Sequence, residues 1–325
     1  MRLARWRDAD GVVGEGFLID DRAVPFPDGL TVADVLAGGL EPLAGLQERA
    51  DHDSALPLAG LTLLAPLVPA AIRDFVAFEE HVEGVSAAID GRSEVPAEWY
   101  HAPTFYFTNP HTVLGPGEPV GPPVCERLDF ELELAVVVGG AGGSNLSLDA
   151  ADDAIFGYTI MNDWSARDLQ GREMKVRLGP AKGKDFATSL GPWIVTRDEV
   201  APFVDDDGFL ALRAEVYVNG DLIGADLTSN MGWTFASLVA YASRNSRVVP
   251  GDVLGSGTVG NGGCLAELWG RRGELTPAPL RSGDEVRMRV EGIGELLAFV
   301  GDPVIAPEIP RARPRSRQRE RTATA

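Results

Sequence analysis

The run Leu128-Asp129-Phe130-Glu131-Leu132-Glu133-Leu134-Ala135-Val136 sets acidic residues into an otherwise apolar segment. Strand side chains alternate between faces, so Glu131 and Glu133 project to one side while Phe130, Leu132 and Leu134 project to the other. Two carboxylates placed that way repel each other unless something cationic lies between them, and a divalent metal ion does that directly. The plain alternative is the solvent-facing edge of a half-buried strand. The neighbouring segments decide between the two.

Phe156 to Gln170 runs from an apolar strand into a polar stretch, Asn162-Asp163-Trp164-Ser165-Ala166-Arg167-Asp168-Leu169-Gln170. Asn162 or Asp163 is expected to cap a helix. Asp163, Arg167 and Gln170 then fall on one helical face, an acid, a guanidinium and an amide aimed the same way. Upstream, a helix is expected over residues 73–85, with Asp74 and His81 two turns apart on one side. A lone histidine there is by itself as consistent with packing as with catalysis. Gly179-Pro180-Ala181-Lys182-Gly183-Lys184-Asp185 invites comparison with a phosphate-binding P-loop and fails it. Its glycine spacing is one residue short, and Asp185 stands where a hydroxyl should hold magnesium. The glycine cluster over residues 255–263 permits close approach of a ligand.

The elements that must carry these residues are mostly strands. Phe130 to Val138 is apolar and β-branched, Trp193 to Thr196 follows a Gly-Pro turn, and Leu212 to Val218 leads into Asn219-Gly220, a hairpin signal. Val286 to Val290 and Leu296 to Val300 flank Gly292-Ile293-Gly294. Further helices are expected over Val32 to Leu46, Ser165 to Gln170 and Thr234 to Arg244. Residues 1–65 read as a small leading unit, 66–305 as the main domain, and 306–325 as a disordered tail. In that tail arginines from Arg311 to Arg321 alternate with small, polar or proline residues.

Composition narrows the function. The 325 residues include 48 acidic and 29 basic side chains, a formal charge of -19. Such a body repels phosphate backbones and anionic membranes, so neither nucleic acid nor membrane is an expected partner of the folded part. Cys125 and Cys264 lack metal-like spacing and suit a reducing compartment. The charge-free stretch from Ser54 to Ile72 could span a bilayer by length, but Pro57, Pro66 and Pro69 break it into short strands and turns. The charged N-terminus lacks the apolar core of a signal peptide. The expectation is a cytoplasmic protein.

In their order along the chain, several of these motifs resemble those of the fumarylacetoacetate hydrolase family. They are Asp74-Phe75 with His81, Asp129-Phe130-Glu131-Leu132-Glu133, Met161 to Gln170, Leu178-Gly179-Pro180 through Gly183-Lys184, Gly257-Thr258, Leu265-Ala266-Glu267-Leu268-Trp269, and Glu291-Gly292-Ile293-Gly294. The resemblance covers residues 64–302. It implies an α+β fold, mostly β with some α: a mixed β-sandwich roll with a small N-terminal β-rich domain, usually in a homodimer. It implies metal ligation by Glu131, Glu133 and Asp163, with Asp74 as a fourth ligand. An all-carboxylate shell favours a hard ion, Mg2+, Mn2+ or Ca2+. By the same resemblance His81 activates water and is held by Glu267, Arg167, Gln170 and Lys184 stabilise the carbanionic leaving group, and Thr258 and Tyr106 contact the substrate.

Val76 stands where the founding enzyme has a pocket tyrosine, and a second pocket tyrosine has no counterpart among residues 173–176. The segment Thr104 to Pro110 looks like that of the family's bacterial branch. The expected activity is metal-dependent hydrolysis of a C–C bond in an acylpyruvate or related 1,3-diketo acid. A 2-keto-acid decarboxylase, isomerase or hydratase on the same scaffold is the alternative, and a non-catalytic metal-binding protein a third.

Overall fold

The computed structural model describes residues 1–90 and 94–314. Strands β1 (Arg2–Arg7), β2 (Val13–Ile19) and β3 (Arg22–Pro25) form an antiparallel meander. Two short helices follow, α1 (Val32–Gly38) and α2 (Leu43–Arg49), where one had been expected. Thr31 and Asp34 form a capping box at the start of α1, and Gly39 stops the helix at φ 76.

Next come β4 (Ile72–Phe75), α3 (Glu79–Asp90), β5 (Phe105–Thr108), β6 (Leu132–Val138) and β7 (Ile155–Asp163). Helix α4 (Arg167–Met174) and strand β8 (Thr188–Thr196) precede the hairpin β9 (Arg213–Val218) and β10 (Asp221–Leu227). The expected Asn219-Gly220 turn joins these two with φ of 52 and 89, as a type I′ turn requires. Then come α5 (Phe235–Ser243), β11 (Val253–Gly255), α6 (Leu265–Arg272), β12 (Glu285–Val290) and β13 (Gly294–Val300).

The larger sheet runs β3-β2-β1-β8-β7-β6-β11-β4-β5, with β11 and β4 parallel and the other neighbours antiparallel. Because β1 pairs with β8, Arg2 opposite Val195, this sheet continues across residue 65 without a break. A second sheet, β10-β9-β12-β13, packs on one face of the first. Strand β6 shows how both faces are filled. Leu132, Leu134, Val136 and Val138 enter the core shared with the second sheet, whereas Ala135 and Val137 enter the core beneath α1 and α2. Truncating Leu134 to alanine in such a setting costs about 2–5 kcal/mol. The α+β architecture agrees with expectation.

Two local expectations fail, and a third, the strand over Phe130 to Val138, is met only from Leu132 onward. Residues 72–75 are strand, and the helix begins only at Glu79, so Asp74 and His81 do not share a helix face. Asn162 and Asp163 end strand β7 and cap nothing; α4 starts at Arg167 with Ala166 before it. The strand expected over Phe130 to Val138 is interrupted. Leu128 and Asp129 pair with Ala166 and Ser165, and β6 starts afresh at Leu132. Of the arginine-rich tail, Arg311 and Arg313 are exposed in irregular backbone, and residues 315–325 lie outside the described residues. No helix among the described residues is long and apolar enough to cross a membrane.

Candidate metal centre and active site

Four predicted ligands arrive from neighbouring strands of the larger sheet. Asp74 sits on β4, Glu133 at the start of β6, Asp163 at the end of β7, and Glu131 in the break before β6. All four are buried. Gly255 on β11 lies between β4 and β6, opposite both Asp74 and Ala135. A Cβ there would stand 2.4 Å from Glu133 Oε2 and 3.1 Å from Asp74 Oδ1, so the bare glycine leaves the space in which these carboxylates meet. Oxygens of Asp74, Glu131 and Glu133 come within 4.8 Å of one another. Asp163 stands beside that trio, its Oδ2 accepting from Lys184 Nζ at 2.5 Å and from the Tyr106 hydroxyl.

The Asn162-to-Arg167 motif is explained residue by residue. The Asn162 side chain accepts the Glu131 backbone N–H at 3.0 Å and pins the break before β6. Buried Trp164 donates to Ser189 Oγ at 2.9 Å. Arg167 spans Asp129 and Glu131 at 2.8 Å each and donates to Gln170 Oε1 at 3.1 Å. Lys184, fully enclosed, bridges Glu131 and Asp163. The loop that resembled a P-loop holds an anion of this chain: the N–H groups of Ala181, Lys182 and Gly183 all donate to the Glu173 carboxylate. That closure fixes the backbone leading into Lys184.

Charge at the centre is unbalanced. Five carboxylates (Asp74, Asp129, Glu131, Glu133, Asp163) face Arg167 and Lys184. Burial pushes the Asp74 and Glu133 carboxyls well above the usual range, and the nearby negative charges of Asp163 and Glu131 add to it. Burial raises Asp163 as well. Burial also opposes ionisation of Glu131, but Lys184 and Arg167 outweigh it and hold that carboxyl below its ordinary value. Among the described residues, Asp74 Oδ1, Glu133 Oε1 and Asp163 Oδ1 are buried without hydrogen-bond partners. Unpaired buried oxygens in an acidic cluster suit a cation. The donor set, oxygen throughout, fits a hard divalent ion.

His81 lies on α3, buried, beside this centre. Its Nε2 is 3.9 Å from Glu131 Oε1 and its Nδ1 is 3.7 Å from Cys264 Sγ. Burial, with Arg167 and Lys184 nearby, lowers its pKa to about 4, so the ring is neutral at pH 7. The expected hold by Glu267 is not made, since both ring nitrogens face other groups. Glu267 instead accepts from Gly262 N–H at 3.1 Å and pairs with Arg271 at 2.8 Å. Its pKa is pushed up to about 7 by burial. It does stand against α3, where a Cβ on Gly84 would meet its Cγ at 2.4 Å.

A cavity of about 330 Å3 opens here; Thr258, Gln170, Tyr106 and Lys184 line it with His81, Asp74, Glu131 and Glu133. Asp129 was overlooked as a functional residue. Its carboxylate accepts from the first amides of α6, Leu265 at 2.8 Å and Ala266 at 3.0 Å, and from Arg167. It thereby ties the metal side to the helix carrying Glu267. The two-residue spacing Asp129, Glu131, Glu133 was the available signal.

This buried carboxylate cluster beside His81, on an α+β scaffold, could hold a metal ion. Residues 70–300 match the family model described as fumarylacetoacetate (FAA) hydrolase C-terminal, and the chain belongs to the fumarylacetoacetate hydrolase family. The fumarylacetoacetase of Arabidopsis thaliana is 31% identical over 298 residues, covering 76% of this chain and 70% of that protein. Among solved structures, 5-carboxymethyl-2-hydroxymuconate delta-isomerase from Mycobacterium smegmatis is 25% identical, with TM-score 0.67 over 93% of this chain and 100% of that one. The fumarylacetoacetate hydrolase of Exiguobacterium antarcticum shares the fold at TM-score 0.71 and 24% identity, covering 93% of this chain and 99% of that one.

Proposed function

We propose that this protein is a divalent-metal-dependent hydrolase that cleaves the C–C bond of an acylpyruvate or related 1,3-diketo acid. The observation that carries the reading is the meeting of Asp74, Glu131 and Glu133 oxygens within 4.8 Å of one another beside His81, with buried oxygens of Asp74, Glu133 and Asp163 unpartnered among the described residues. Asp74, Glu131, Glu133 and Asp163 would hold Mg2+, Mn2+ or Ca2+. When bound, the ion supplies Lewis acidity to the two oxygens of a chelating keto acid.

The chain's own groups do the remainder. With Nδ1 turned to Cys264, His81 Nε2 is the atom that takes a proton from water, which attacks the carbonyl beside the scissile bond. The bond's electron pair leaves with the pyruvoyl half as an enolate, whose carbon takes up the proton that His81 removed from water. Lys184, its ammonium form strengthened by Asp163 and Glu131 against the opposing effect of burial, stabilises that charge together with Arg167 and Gln170. Thr258 orients the substrate carboxylate and Tyr106 holds Asp163. The products are a carboxylic acid and a 2-keto acid. The reading includes a homodimeric enzyme of the cytoplasm.

An isomerase is the second reading, favoured by the Mycobacterium smegmatis neighbour and by the absence of a His81–Glu267 bond among the described residues. Proton NMR of acylpyruvates incubated with the magnesium-loaded protein separates the two. Pyruvate plus a carboxylic acid supports hydrolysis; a moved double bond at conserved mass refutes it.

A further inference from the structure

The space around the metal ligands continues past His81. A second cavity of about 330 Å3 shares Val76, His81, Val85 and Thr104 with the first. Its character is different. Val76, Val82 and Val85 line it together with Pro96 and Trp99. The indole of Trp99 spends its one donor on the Val76 carbonyl at 2.7 Å, so the ring offers the cavity only carbon. It is fixed there by Trp233, with ring centroids 4.5 Å apart. Among the described residues, Glu98 is the one carboxylate on this wall, and no lysine or arginine lines it. The cations Lys184 and Arg167 line only the first cavity.

We propose that this apolar annex receives the acyl end of the substrate and that the protein selects uncharged, apolar acyl groups over those ending in a carboxylate. The assignment rests on the acylpyruvate reading above. With the keto-acid head at the carboxylates and the reacting carbonyl beside His81, the acyl chain leads beyond His81, where the annex lies. An alkyl or aryl group there gains by leaving water. A terminal carboxylate would lose its hydration, find no cation among the described residues and face Glu98.

The test uses two acids with the same head that hydrolysis cannot cleave, 2-oxooctanoate and 2-oxooctanedioate, titrated by calorimetry into the magnesium-loaded protein. Their distal ends differ only by a carboxylate. The monoacid should bind at least about tenfold tighter. Shortening the alkyl chain should weaken binding by roughly three- to fivefold per methylene. Val82→Arg, which changes a residue lining only the annex, should narrow or reverse the preference. Equal or tighter binding of the diacid by the unaltered protein overturns the proposal, as does failure of both acids to bind. Turnover of hexanoylpyruvate against fumarylpyruvate is measured alongside. If neither is cleaved while the monoacid preference holds, the hydrolase reading falls and the annex assignment stands. If both are cleaved with the charged substrate favoured, the assignment falls and the hydrolase reading stands.

Discussion

The carboxylate centre and the histidine side of the cavity are built by different means. Asp74, Glu133 and Asp163 come from strands whose register is fixed by backbone pairing, with Gly255 keeping the row open between them. His81 and Glu267 come from α3 and α6, two helices whose approach is set by side-chain packing at Gly84. The strand-borne side is acidic and buried, with oxygens of Asp74, Glu133 and Asp163 left unpartnered among the described residues. On the helix-borne side His81 meets Cys264, and Glu267 pairs through one oxygen with Arg271. A sheet can hold repelling groups close because its ladder does not depend on them; a helix pair can be tuned by a single contact.

This contrast breaks most visibly at Glu131, which pairs with Lys184 and Arg167 while standing in the carboxylate trio. Glu131→Ala should abolish both the heat of metal binding and turnover; undiminished activity would remove it from the ligand set. His81→Ala should leave metal affinity intact and lower kcat by about 10²–10⁴-fold. A variant as active as the parent would move the base elsewhere.

Paired glycine substitutions sharpen the comparison. Gly255→Ala thrusts a methyl at Glu133, and should weaken metal binding about tenfold or more at a stability cost of about 1–3 kcal/mol. Gly84→Ala presses on Glu267, and should depress kcat while calorimetry reports unchanged metal affinity. If both variants lose metal equally, the two sides are not separately built.

Acidity offers a gentler probe. Asp74 and Glu133 titrate above their unfolded values, so their contribution to stability is complete below the ordinary carboxylate range of about 4 and is lost as pH rises through the elevated folded values. Glu131, held low, acts oppositely: its contribution is present above the ordinary range and lost only in stronger acid. The metal-free protein should therefore melt at lower temperature as pH climbs from 5 to 8, by roughly 2–4 °C per kcal/mol of linkage. Added magnesium should raise Tm most at the upper end. A flat metal-free profile would contradict the buried charge excess. The smallest change is expected from Arg271→Ala, which frees Glu267 and should alter kcat only about two- to threefold, since the pair is partly exposed.

The centre's residues were legible where chemistry and local spacing coincide. Glu131 and Glu133 alternate along one run, and the Asn162-to-Arg167 motif is contiguous. The hairpin at Asn219-Gly220 was equally plain, because its turn residues carry their own backbone preference. Non-local pairing was hidden. Ile72–Phe75 becomes a strand through Val253–Gly255 on one side and Phe105–Thr108 on the other, partners nothing in residues 73–85 discloses. Asn162 and Asp163 have the composition of a helix cap, yet β6 and β8 claim their backbone. The partner of Glu267 was misjudged for a related reason: Arg271 is one helical turn away, and local pairing prevailed over the cross-helix one.

Next to Asp74, on the opposite face of its strand, Arg73 reaches Asp252 at 2.7 Å and lies over the rings of Phe105 and Phe107. Were β4 to slide by one position, this guanidinium would swing into the cavity and Asp74 would leave it. Strand alignment and ion pair are thus tied together: the register that aims Asp74 at the centre is the same one that lets Arg73 reach Asp252.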